Sequence, residues 1–196
     1  MAGIRTRAMT EHRSAAAGRA AAVASLLQQE CSLLLELYRK REDFHVDVSD
    51  GRLVSVPAPS SQLDTRDKLW SLHSALLQCR TFLERGIAKE NEELGGGEKG
   101  KYEKQRETVK NRLSLLLINT GELLRAADGA AILTPNFDGS ETESPSSLFE
   151  LKLWIYRIYK EVEHWTKIAV TTLKELPSDT PKERRRITLS TRSKRR

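Results

Sequence analysis

The sequence predicts an all-α protein, an up-up-down-down four-helix bundle with two long crossover loops. Three observations predict it. Four stretches carry apolar residues at alternating spacings of three and four, which lines them up along one face of a helix. Leu, Ala, Glu, Lys and Arg dominate the composition, and runs that alternate apolar with polar residues are few. The connections between the four stretches are long, short and long.

Residues 1–13 are polar and carry no stripe, so a flexible N-terminal segment is expected there. The first helix is expected over residues 14–42. Ala20, Ala24, Leu27, Cys31, Leu34 and Tyr38 form its stripe, and Leu26, Leu33 and Leu37 widen it. From residue 43 to 63 the pattern stops, with turn and breaker signals at Asp50-Gly51, Pro57 and Pro59. The second helix is expected over 64–93, with Leu69, Leu72, Leu76, Cys79, Leu83 and Ile87 facing inward. Gly95-Gly96-Gly97 then breaks the helix and serves as a short link.

The third helix is expected over 98–128. It turns Val109, Leu113, Leu116, Thr120, Leu123 and Ala127 inward, and Leu115, Leu117 and Ile118 thicken its middle. A second long connection follows, over residues 129–145. The fourth helix is expected over 147–176. Ser147 and Glu150 make an S-x-x-E capping signal, Pro145 precedes it and Pro177 ends it. Leu151, Ile155, Ile158, Val162, Trp165, Ala169, Thr172 and Leu176 form its core face. Trp70, Trp154 and Trp165 are read as core or core-edge residues.

Phe149 does not fit that face. It falls about 160° from Leu151 around the helix. Leu153 and Tyr156 share its side and Lys152 borders it. A first-turn phenylalanine facing away from the core either packs under a crossover loop or binds something.

Loop lengths decide the topology. Helices of roughly thirty residues are about 45 Å long. A seven-residue link reaches at most about 25 Å. The second and third helices are therefore antiparallel, whereas the first and third connections are long enough to run back along the bundle. Residues 14–176 thus make one domain, and 177–196 a disordered basic tail.

With 196 residues the chain can build one sizeable core. Its formal charge of +6 is confined to the tail, where residues 177–196 hold eight Lys/Arg against two acidic residues. The body is near neutral, which argues against a nucleic-acid-binding body. Cys31 and Cys79 both point inward and are too few for a disulfide framework. No apolar run is long enough to span a membrane. Ala22-Val23-Ala24 mimics a signal-peptidase site, but Arg19 interrupts the run, so no conventional signal peptide is expected.

His12, His45, His73 and His164 lie one per region, and no H-x-x-x-H or C-x-x-C pair exists. Glu161 and His164 form a single E-x-x-H, where a di-iron bundle needs two. Phosphate loops and nucleophile elbows are absent. No catalytic residue, metal or cofactor is expected, and a binding protein is the expected class.

The run Leu148-Phe149-Glu150-Leu151-Lys152-Leu153-Trp154, with Trp165-Thr166 eleven residues beyond the first tryptophan, resembles the fourth helix of the ciliary neurotrophic factor family. That family lies within the interleukin-6 group of long-chain helical cytokines. Glu36 to Arg41, Cys79-Arg80-Thr81-Phe82 and the Ser49-Asp50-Gly51 turn are similar too.

The resemblance implies a neurotrophic growth factor that assembles cell-surface cytokine receptors and activates kinases on their cytoplasmic tails, supporting neuronal survival and differentiation. It implies three partners: the ciliary neurotrophic factor receptor alpha, a shared signalling subunit and the leukaemia inhibitory factor receptor. The last is met by a Phe-x-x-Lys motif opening the fourth helix, here Phe149 and Lys152. The alpha-receptor surface draws on the first helix, the first crossover and the end of the fourth helix. Ser25, Gln28 and Leu63 fall at those positions, and Thr166 and the charge of Lys174 are retained. The shared-subunit surface lies on the first and third helices, with no residue assigned. The resemblance also implies a cytoplasmic protein without a signal peptide, released to act extracellularly. The reading from another class is an intracellular helical adaptor whose basic tail binds nucleic acid or acidic glycans.

Overall fold

A computed structural model describes residues 2–44, 51–94, 100–128, 145 and 147–176. Four helices account for most of them: α1 (Ala2–Glu42), α2 (Thr65–Leu94), α3 (Lys101–Asp128) and α4 (Leu148–Glu175). Among the described residues there is no strand. The glycine link at 95–97, the second crossover at 129–144, positions 49–50 of the first crossover and the tail at 177–196 lie outside the described residues.

Side-chain pairs fix the direction of each helix. Glu30 and Arg41 of α1 pair with Arg112 and Glu103 of α3, so rising numbers on one helix meet falling numbers on the other. The same inversion holds between α1 and α4, where Ser32 meets Glu163 and Tyr38 meets Lys152. It holds between α2 and α3, where His73 meets Thr120 and Glu90 meets Arg106. Helices α1 and α2 each pack against both α3 and α4, and not against each other. The bundle is therefore up-up-down-down, with like-directed helices on the diagonals. Every touching pair is antiparallel.

Local chemistry sets the helix ends. Ser147 sits in extended conformation and its hydroxyl accepts from the Glu150 N–H at 3.2 Å, as the S-x-x-E signal requires. Asp64 caps α2 through its carboxylate, which accepts from the Asp67 N–H at 2.7 Å. Helix α1 closes differently. Asp43 takes φ 53°, and the Phe44 N–H reaches back to the Arg39 carbonyl at 3.2 Å. This is a Schellman closure, with Phe44 folded onto Tyr38 at a ring separation of 6.1 Å.

The first crossover lies against α2. Val54 is buried, the Ser55 N–H donates to Gln78 Oε1 at 3.2 Å, and the Ser71 hydroxyl donates to the Pro57 carbonyl at 2.6 Å.

Helix α1 starts at Ala2, where the sequence suggested a flexible segment up to residue 13. Ala2, Arg5, Arg7, Ala8, Met9, Glu11 and Arg13 are good helix formers, and extending an existing helix needs no new nucleus.

The core is a column of leucines. Leu27, Leu34, Leu72, Leu76, Leu83, Leu113, Leu116 and Leu123 are fully buried, together with Trp165. Cys31 and Cys79 are buried and unbonded to each other, and burial pushes the Cys31 thiol up to about 12.

Four stripe assignments change. Leu26 and Leu33 on α1 and Leu115 and Ile118 on α3 are exposed, because the first three lie one position off their core stripe and Ile118 lies two positions from both Leu116 and Thr120. The α2 stripe turns in most fully through Gly86 and Glu90, with Ile87 half-buried against the core. A β-carbon on Gly86 would stand 3.0 Å from Ile158 Cδ1, so the bare glycine lets α2 and α4 approach closely. Trp70 is 44 % exposed on the first turns of α2, not at the core edge.

Truncating the leucine column should be expensive. Leu34→Ala or Leu116→Ala is expected to lower unfolding free energy by about 2–5 kcal/mol, read from urea denaturation. A pH effect follows from His73. It is buried, its Nδ1 lies 2.9 Å from Thr120 Oγ1, and burial, then the Arg125 charge, depress its affinity for a proton. The folded state thus favours neutral His73, so its stabilising share is present above the ordinary histidine range and is lost as pH falls below it. Thermal melts between about pH 7.5 and 5.5 should show a declining midpoint, with a shallower decline in His73→Gln.

Candidate functional site

One end of the bundle concentrates the polar chemistry. Here α1 and α2 finish and α3 and α4 begin. The stripes of α2 and α3 do not stop at their last aliphatic residues. They run on to Glu90 on one helix and to Arg106 and Tyr102 on the other, all buried. Arg106 forms a salt bridge to Glu90, and the Tyr102 hydroxyl donates to both Glu90 oxygens at 3.0 Å. Tyr159 of α4 places its hydroxyl 2.6 Å from that of Tyr102. Tyr102 has spent its proton on the carboxylate, so Tyr159 is the donor in this pair.

Arg41 of α1 spans the rim. It reaches Glu103 at 2.9 Å and Glu90 at 3.4 Å, and its guanidinium lies 4.7 Å from the centre of the Tyr102 ring. Burial, then Tyr159 and Glu90, push the Tyr102 hydroxyl far above the ordinary tyrosine value. Burial disfavours a charged Arg106, but Glu90, Tyr102 and Tyr159 together outweigh it and the guanidinium holds its proton more firmly than usual.

The opening turns of α4 sit on this platform. The Tyr38 hydroxyl donates to the Lys152 carbonyl at 3.0 Å, and Tyr38 meets Tyr159 edge-on at 5.2 Å. Tyr156 is fully buried under Phe44, with ring centres 5.7 Å apart, and its hydroxyl accepts from Arg39 Nε at 2.8 Å. The side of α4 that carries Phe149 is therefore covered from Tyr156 onward by the end of α1. Only its first turn stays open. There Phe149 is 65 % exposed and Leu148 beside it 50 %. Lys152 is half-buried, and its ammonium lies 2.6 Å from Glu42 Oε2. It is an anchored cation, not the loose surface lysine that a helix-border position suggests. Positions 149 and 152 are three apart, so the ring and the ammonium are neighbours on one face.

The other sequence-derived positions do not share this end. Gln28 is half-buried midway along α1. Leu63 is exposed just before α2, and Lys174 is exposed in the last turn of α4. By the antiparallel register Leu63 and Lys174 belong to the opposite end of the bundle. Thr166 has no accessible surface, and its hydroxyl donates to the Val162 carbonyl at 2.7 Å. It is a core residue of the α1–α4 seam, so it offers nothing to a partner.

Sequence reasoning also missed the outer face of α1 and α3. Leu26 and Leu33 on one helix and Leu115 and Ile118 on the other flank a bridge in which Arg112 gives Nε at 3.2 Å and Nη2 at 2.8 Å to Glu30. The signal was in the spacing, since each of these apolar residues lies off the core period.

Among the described residues no group of three or more His, Cys, Asp or Glu is placed to hold a metal ion. Nor is any helix among the described residues long and apolar enough to cross a membrane. Exposed apolar side chains beside fixed charges suit binding to another protein. A family model for ciliary neurotrophic factor matches residues 1–189. The chain belongs to the ciliary neurotrophic factor family. No curated protein matches the chain significantly. The ciliary neurotrophic factor family is a family of cytokines and neurotrophic factors, which act outside the cell, and not an enzyme family.

The buried network beneath the site can be tested by stability. Glu90→Ala strands the Arg106 guanidinium and is expected to cost about 3–5 kcal/mol, whereas Tyr102→Phe should cost about 1–2 kcal/mol. Chemical denaturation monitored by circular dichroism gives both values.

Proposed function

We propose that the chain is a neurotrophic cytokine that assembles a receptor complex, with the first turn of α4 as its contact for the leukaemia inhibitory factor receptor. The observation that carries this reading is the pairing of Phe149, the most exposed large apolar side chain among the described residues, with an ammonium held in place three residues on. An aromatic anchor flanked by a fixed charge is the usual make-up of a binding hot spot. The polar network below it gives that anchor a rigid base.

Two further contacts complete the reading. The α1–α3 face, with Leu26, Leu33, Leu115 and Ile118 around the Glu30–Arg112 bridge, is the surface for the shared signalling subunit. The far end of the bundle, with Leu63, Trp70 and Lys174, is the surface for the alpha receptor. Gln28 and Ser25 are secondary there, since both are half-buried and the Ser25 hydroxyl donates to its own helix at Ala21. The protein would be held in the cytoplasm and released to act on neighbouring cells.

The test is a signalling assay in cells carrying the three receptor subunits. Phe149→Ala combined with Lys152→Ala should abolish receptor-kinase activation. Removing Lys152 leaves the buried Glu42 carboxylate with Arg41 as a partner, at a cost of about 1 kcal/mol. The thermal midpoint should therefore fall by only a few degrees. Full signalling by the double variant would exclude this site.

A further inference from the structure

We propose that Glu42 is a positioning residue for the α4 contact: from the last residue of α1 it sets where the Lys152 ammonium stands beside Phe149. The inference rests on the receptor-binding reading of Phe149 and Lys152.

Three observations support it. The Glu42 carboxylate is almost wholly buried, its side chain 5 % exposed, and it touches Lys152 at 2.6 Å and Arg41 at 3.3 Å. Its position is otherwise unfavourable. A carboxylate at the C-terminal end of a helix meets the negative end of the helix dipole, and the last turn of α1 is otherwise basic, with Arg39, Lys40 and Arg41. A residue chosen for helix stability alone would not be acidic there.

Glu42 is also held by backbone geometry. It precedes Asp43, whose φ of 53° starts the Schellman closure that lays Phe44 over Tyr38 and Tyr156. Tyr38 in turn hydrogen-bonds the Lys152 carbonyl. The main chain and the side chain of Lys152 are thus both tied to the last turns of α1. A free lysine would lose rotamer freedom on binding; this one is already ordered. Glu42 holds the ammonium from one side, and the 29 % of the Lys152 side chain that is exposed is left to meet a partner beside the ring.

The experiment measures binding of the full chain to the leukaemia inhibitory factor receptor ectodomain by surface plasmon resonance, with thermal midpoints in parallel. Glu42→Ala should weaken binding about five-fold, mainly through faster dissociation, and Lys152→Ala about ten-fold. The double variant Glu42→Ala with Lys152→Ala should bind like Lys152→Ala alone, because Glu42 acts only through the lysine. Glu42→Gln, which keeps an acceptor for the ammonium, should recover part of the loss. Unchanged binding by a folded Glu42→Ala would overturn the proposal. So would a Glu42→Ala loss that persists undiminished in the Lys152→Ala background, which would assign Glu42 a purely structural role. Phe149→Ala separates the two levels. If it leaves binding unchanged, the contact itself is misplaced; if it abolishes binding while Glu42→Ala does not affect it, only the role of Glu42 is refuted.

Discussion

The buried carboxylate of Glu90 is the constraint on which the end of the bundle is built. A charge removed from water must be met by partners on every side. Here those partners come from other helices: Arg106 and Tyr102 from α3, and Arg41 from α1. Tyr159 of α4 completes the set through Tyr102. Helix packing by leucines alone tolerates small rotations and slides. A network of directed bonds does not, so the four helices are locked in register at this end. Specificity of this kind is a known use of buried polar groups, distinct from any gain in stability.

That lock explains why the exposed patch is where it is. The first turn of α4 carries Leu148 and Phe149 in the open, and one turn later the helix is pinned by Tyr38, Glu42 and Arg39. The exposed ring therefore projects from a fixed base, although the crossover before it enters through a single capping serine. An interface anchor loses less entropy on binding when its backbone is already held. The opposite end has no comparable network among the described residues; of its exposed side chains, Leu63 belongs to the crossover that lies against α2 through Gln78 and Ser71, whereas Trp70 and Lys174 stand on α2 and α4 themselves.

Much of this was legible in the chain. Helix number, direction and the two crossovers came from periodicity and loop length, and the Ser147 cap came from a four-residue signal. Phe149 stood out because it broke a period. What stayed hidden has a common physical cause. Hydrophobic periodicity marks a stripe only while its residues are apolar. Continued with the same spacing, 83, 86 and 90 on α2 and 109, 106 and 102 on α3 arrive at Glu90, Arg106 and Tyr102. A buried charge looks like a surface charge until its partners are known, and those partners are distant in sequence. Thr166 was misplaced for the converse reason. A small polar residue matched to a motif cannot show whether its hydroxyl faces water or its own helix. Residue type alone puts Trp70 in the core or at its edge, whereas its position one residue off the α2 stripe points it outward.

The two thiols have a consequence of another kind. Cys31 and Cys79 are the only cysteines, both are buried, and burial raises both well above the range in which a thiolate forms at neutral pH. They sit on diagonal helices that do not touch. No disulfide joins the two cysteines, and burial keeps both thiols in the protonated, poorly nucleophilic form at neutral pH. The same conformation therefore holds in glutathione-rich and in oxygenated surroundings, so moving between two such compartments asks for neither a disulfide to be made nor one to be broken.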